Sequence, residues 1–171
     1  MAVNASLSST REEFSRASMG MRKPVVTMLA GGDPLFRFAS TVNLQTGASI
    51  PSDQWARGAW WFQEADYQRI LQRYQAGKLA LGTVARTAGA VQPSWSNMDV
   101  SIKARLLDDM YVYLGKGSTQ YRDELPNGMV VTLSGWPDID QIYIPNMRGA
   151  AFHNLSIVRK KIITTDSFGF V

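Results

Sequence analysis

The sequence predicts an α+β fold, a single domain with a largely antiparallel, split β-sheet core and a few helices, mainly in the N-terminal half. Three observations lead there. The clearest helical period joins Tyr67, Ile70, Leu71 and Tyr74, before the midpoint of the 171 residues. The second half is dominated by short apolar or alternating runs of strand length. Helices early and strands late are the pattern of an α+β domain rather than of alternating βαβ units.

The elements follow in order. Residues 1–23 read as a polar N-terminal segment, and residues 24–171 as the domain. Within the lead-in, "SSTREEF" offers Ser9 or Thr10 as a helix cap, with Glu12 or Glu13 three positions on, so a short helix is expected. "KPVVTMLAGGDP" reads as an apolar strand closed by the turn Gly31-Gly32-Asp33-Pro34. "LFRFAS" alternates Leu35, Arg37 and Ala39 against Phe36 and Phe38, and reads as a strand. Residues 41–57 form a polar loop, and "GAWWFQ" (58–63) reads as a strand. "EADYQRILQRYQAG" (64–77) is a helix, with Gly77 where a C-terminal cap belongs. "LALGTVAR", "VSIKARL", "DMYVYLG", "VVTLSG", "QIYIPN" and "LSIVRKKIITT" read as the remaining strands, with a tight turn at Asn127-Gly128.

Composition narrows the chemistry. Hydrophobic residues make up 45% and charged residues 19%, as in a folded globular domain. No cysteine is present, which excludes disulfides, zinc-thiolate sites and cysteine nucleophiles, and one histidine, His153, excludes a multi-histidine metal site. No metal is expected. The net charge of +4 favours anionic partners. No stretch reads as a transmembrane span, and "PVVTMLA" after Arg22 and Lys23 is too short for a signal peptide, so no membrane partner is expected and the compartment stays open. Arg159-Lys160-Lys161 reads as a solvated strand end, and no RNA-binding signature accompanies it.

Common catalytic templates are missing: no G-x-S-x-G, no H-E-x-x-H and no phosphate-binding P-loop occurs. Gly115-Lys116-Gly117-Ser118 is glycine-rich but lacks the P-loop spacing, and a β-turn is expected there. What remains is a scattered set of polar and aromatic residues. Arg37 lies between Phe36 and Phe38; Trp60, Trp61 and Phe62 follow Gly58-Ala59; Asp138, Asp140 and Gln141 precede Ile142-Tyr143-Ile144-Pro145. Each has a plain structural reading as a sheet-edge ion pair, a core cluster or a polar loop.

Order and spacing suggest more. "LFRFAS", "GAWWFQ" followed by a helix, and "DQIYIPN" together resemble the ADP-ribosyltransferase superfamily, over about residues 34–146. "MYVYLGKGS…GMVVTLSGWPDIDQIY" also looks like the end of NAD-glycohydrolase toxins of the tuberculosis-necrotizing-toxin type, which carry Gln at the catalytic place. The resemblance implies NAD as substrate. It places Gln141 and Asp140 as catalytic, and Arg37, Ser40, Trp60, Trp61, Phe62 and Tyr143 as NAD-binding. It further implies a secreted effector acting in a target-cell cytoplasm, with a cognate immunity protein as partner. Two departures stand out. Trp60-Trp61-Phe62 occupy the place of a Ser-Thr-Ser, and Ile139 stands where many transferases place the first Glu or Gln of a pair. The second departure favours hydrolysis over transfer. Mono-ADP-ribosyltransfer to a protein or nucleic-acid acceptor is the alternative, and a non-catalytic β-rich interaction module is the rival from another class. Side chains alternate along a strand, so Gln141 and Asp140 are expected on opposite faces.

Overall fold

The computed structural model describes residues 1–8, 12–124, 128 and 130–163, apart from the side chains of Arg122 and Glu124. Its elements run α1 (Glu12–Gly20), β1 (Met21–Leu29), β2 (Pro34–Ala39), a 3₁₀ turn (Trp55–Arg57), β3 (Trp60–Gln63), α2 (Glu64–Ala76) and α3 (Leu81–Gly89). They continue with β4 (Val100–Leu106), β5 (Met110–Gly117), β6 (Gln120–Glu124), β7 (Val130–Leu133), β8 (Asp140–Tyr143), α4 (Ala150–His153) and β9 (Leu155–Ile162). The α+β class is as expected. A seven-stranded sheet runs β1-β5-β8-β3-β2-β4-β9, and β6 and β7 form a separate two-stranded ribbon. Every named strand pair is antiparallel.

The seven strands are two half-sheets joined by one short strand. Trp60 and Trp61 of β3 pair with Tyr143 and Ile142 of β8, whereas Phe62 and Gln63 pair with Phe36 and Leu35 of β2. Beyond Phe36, β2 leaves β3 and runs on beside β4 alone, with Arg37 opposite Ile102 and Phe38 opposite Ser101. A gap therefore opens beside Arg37.

Two cores flank the sheet, because alternate residues of each strand face opposite ways. One face gathers Leu35, Trp61, Val100, Ile102, Val112 and Ile142 beneath the 3₁₀ turn and α4. The other packs Phe36, Phe38 and Phe62 against Tyr67 and Ile70 of α2 and Val84, Ala85 and Ala88 of α3. α2 is amphipathic as expected, and Gly77 caps it by donating its amide to the carbonyls of Arg73 and Tyr74. The first residues also join the fold: Ala17 of α1 and Met21 of β1 are buried against Tyr113.

Two expectations need correction, and one strand had no counterpart in the sequence reading. "LALGTVAR" is not a strand; α3 begins at Leu81, and burial of Leu81–Arg86, Ala88 and Gly89 removes any amphipathic stripe that would mark a helix. Gly115-Lys116-Gly117 continues β5 rather than turning. The polar strand β6 has no apolar alternation to mark it. Both proposed caps, Ser9 and Thr10, lie outside the described residues, as does Asn127 of the expected tight turn. Gly128 has φ +78°, a conformation that favours glycine.

Trp61 shows how the core is held. It is fully buried, and its indole N–H donates to the Gly58 carbonyl at 2.8 Å. Trp61→Ala is expected to lower unfolding free energy by about 3–5 kcal/mol, measured by urea denaturation.

Candidate active site

Arg37 occupies the gap where β2 and β3 part. Its Nε donates to the Trp55 carbonyl at 3.0 Å and its Nη1 to the Trp60 carbonyl at 2.9 Å. Gly58 makes room for it: a Cβ there would lie 1.8 Å from Nη2. Burial lowers the Arg37 pKa to about 10, so the group stays cationic at neutral pH. Among the described residues, no ion pair includes Arg37. A half-buried cation whose hydrogen bonds go only to carbonyls is poised for an anion.

The gap opens into a cavity of about 290 Å³ lined by Arg37, Phe38, Trp60, Trp95, Met98 and Gln141, among others. Trp60 is half-buried, with its ring edge-on to Tyr143 at 4.9 Å. A Cβ on Gly20, at the end of α1, would sit 2.4 Å from the Trp60 ring, so a glycine there lets the indole lie flat against the helix end. Gln141 is buried, and its Nε2 donates to the Gly89 carbonyl. Gly117 permits that contact, since a Cβ would come within 2.7 Å of Gln141 Nε2. The glycine-rich stretch thus serves close packing around Gln141.

A second cavity of about 400 Å³ adjoins the first and shares Arg37, Trp95 and Ser96 with it. Ser40 lines it, with its hydroxyl donating to the Val42 carbonyl at 2.7 Å and accepting the Asn97 amide at 3.3 Å. The wall between residues 91 and 96 is pinned from below by Arg86, which donates to the Val91 carbonyl at 3.1 Å and the Ser96 carbonyl at 2.6 Å. Ala90 (φ +54°) and Met98 (φ +55°) line the smaller cavity in left-handed conformations that non-glycine residues rarely adopt. Such strain concentrates where a site is shaped by its surroundings.

Three residues singled out from sequence therefore share one cavity: Arg37, Trp60 and Gln141. Ser40 lines the adjoining one. Trp61 is buried on the far face, and Phe62 lies in the α2–α3 core, edge-on to Phe38 at 6.2 Å. Tyr143 stands behind Trp60 as a support, and burial raises the pKa of its hydroxyl. Asp140 is not brought to the cavity. It faces the opposite side, where its Oδ1 pairs with Lys116 Nζ at 2.8 Å beside Arg22 and Lys23. Asp138 is exposed and pairs with Arg73 at 2.6 Å. The Arg73 guanidinium holds the Asp138 carboxyl below its ordinary range and also lies 4.1 Å over the Trp136 ring. Among the described residues, neither cavity is lined by Asp or Glu, and no cluster of His, Cys, Asp and Glu is placed to hold a metal ion. Trp95, Ser96, Gly89 and Gly58 carry no motif; only the structure reveals their part.

No family model matches the chain, and no curated protein matches it. Among solved structures, the fold is similar to that of Rhs1-CT in complex with its cognate immunity protein RhsI1. The TM-score is 0.52 at 13% identity, over 88% of this chain and 93% of that one. At that identity the likeness is one of fold. No helix among the described residues is long and apolar enough to cross a membrane.

Asp66 of α2 fixes the start of β8. Its buried carboxylate accepts the Asp140 amide at 3.1 Å and pairs with Arg69 at 3.1 Å. Burial, the largest cause, raises its pKa above the ordinary 3.8, opposed by the hydrogen bond from the Asp140 amide and assisted by the Asp140 charge. A carboxyl raised in the folded state favours folding while protonated, and that contribution is lost as pH rises from below 3.8 through the raised value. Asp66→Asn keeps an acceptor for the Asp140 amide. Chemical denaturation across that range is expected to show the variant gaining stability relative to the parent as pH rises.

Proposed function

We propose that this chain is a toxin-like enzyme that hydrolyses the bond between nicotinamide and ribose in NAD. The observation that carries the reading is the convergence of Arg37, Trp60 and Gln141, from three strands, on one cavity. The likeness in fold to Rhs1-CT, a protein with a cognate immunity protein, supports the toxin-like part and makes an immunity protein the expected partner.

The Arg37 guanidinium, which forms no ion pair among the described residues, holds the pyrophosphate by its charge and by the N–H groups its two carbonyl bonds leave free. The two cavities that meet at Arg37 then take the two ends of the dinucleotide. Nicotinamide enters the smaller cavity against Trp60 and Phe38, and the adenosine end enters the larger one beside Ser40 and Trp55. Gln141, with its amide nitrogen held by Gly89, presents its carbonyl oxygen to a ribose hydroxyl. The nicotinamide–ribose bond breaks with its electron pair passing to the pyridinium ring, which leaves neutral. The sugar passes through an oxocarbenium-like state, water adds at its C1′, and a proton goes to solvent. No strong general acid is required, because the leaving group is already cationic. Absence of a carboxylate among the described lining residues favours water over a positioned acceptor. The site orients and desolvates, and Gln141 contributes most if its hydrogen bond tightens in the transition state.

The test is nicotinamide release from NAD by purified protein. Free ADP-ribose is the expected co-product. Gln141→Ala is expected to lower the rate by about 10²–10³. Asp140→Asn, which removes only a half-exposed ion pair, is expected to stay within about threefold of the parent. ADP-ribose appearing on protein or nucleic acid in added lysate instead would establish transfer. No release under either condition would leave the cavity without this chemistry.

A further inference from the structure

The run Arg159-Lys160-Lys161 plays no part in the cavity described above. β9 puts Arg159 and Lys161 on the face shared with Ser101 and Lys103 of β4. In the strand register Lys103 lies directly opposite Arg159, and Ser101 opposite Lys161. Like charges directly opposite each other destabilise a strand pair. Cations on β9 alone would be ordinary protection of an edge strand. Lys103 has no such reason, because β4 is an inner strand between β2 and β9.

These residues line a groove of about 380 Å³ between the strands and α2. Its single carboxylate, Glu64, sits in the first turn of α2, where the helix dipole favours it. Among the described residues, no ion pair joins Glu64 to the three cations. Ser101 is 3% exposed, and its Oγ has no hydrogen-bond partner. A buried hydroxyl left unpaired is costly, and it adds to the cost of the crowded cations. A bound oxyanion relieves both. The aromatic rings here are engaged with each other: Phe36 stacks on Tyr67 at 4.0 Å, with Lys103 Nζ 5.5 Å from the Phe36 centroid. Recognition in the groove is therefore ionic rather than by ring stacking. We propose that this groove is a binding site for phosphate, free or as a phosphomonoester, separate from the Arg37 cavity.

The experiment follows the melting temperature of the whole chain with inorganic phosphate and, separately, ribose 5-phosphate, against chloride at matched ionic strength. Phosphate is expected to raise the melting temperature beyond chloride. The double variant Lys103→Gln, Lys161→Gln is expected to weaken the apparent affinity about tenfold or more. Arg37→Ala is expected to keep the response. Ser101→Ala removes an unpaired hydroxyl, so it is expected to melt no lower than the parent without ligand and to respond less to phosphate. Tighter binding of ribose 5-phosphate would assign a phosphomonoester; equal binding would assign free phosphate. No phosphate-specific rise in the parent, or a rise that the double variant leaves undiminished, would overturn the proposal.

Discussion

The site depends on a guanidinium wedged into a sheet. Arg37 stands where β2 departs from β3, and its two hydrogen bonds take the place of the ladder bonds that the departing strands no longer make. Those bonds reach Trp55 and Trp60, so one side chain fixes both ends of the segment that carries Gly58. Drawing a cation partly out of water without a carboxylate is unfavourable, and the surrounding cores must offset it. The cost falls where a ligand can repay it. An anion that binds there completes an electrostatic arrangement the folded protein leaves open.

Much of the fold was legible from residue order. α2 announced itself through Tyr67, Ile70 and Leu71, and β4 through the alternation of Val100, Ile102, Ala104 and Leu106. α3 was hidden because it is buried on nearly every side. A short apolar run carries no period that separates helix from strand, and Thr83 and Val84 tilt the reading toward strand. β6 was hidden for the opposite reason, being polar throughout and belonging to a ribbon with no two-sided core.

The candidate site was legible in its strands and illegible in its loops. The polar cluster before Ile142 divides by simple alternation: Gln141 turns to the cavity while Asp140 turns to Lys116. Asp138 is spent on Arg73 of α2. Trp60 and Trp61 divide the same way, one beside the cavity and one in the core. The loop residues Trp95 and Ser96 reach the cavity because Arg86 holds their backbone from α3, and no local pattern encodes such a contact.

β3 is four residues long and is paired two by two with different partners. It is therefore the common reading frame of both half-sheets. A shift of its register by one residue would turn every side chain over at once. Trp61 would swing out of the core as Trp60 swung in, and Phe62 would trade places with Gln63. Here a single misplaced residue would scramble both cores and the cavity together, so the length of this strand is under tighter constraint than its composition.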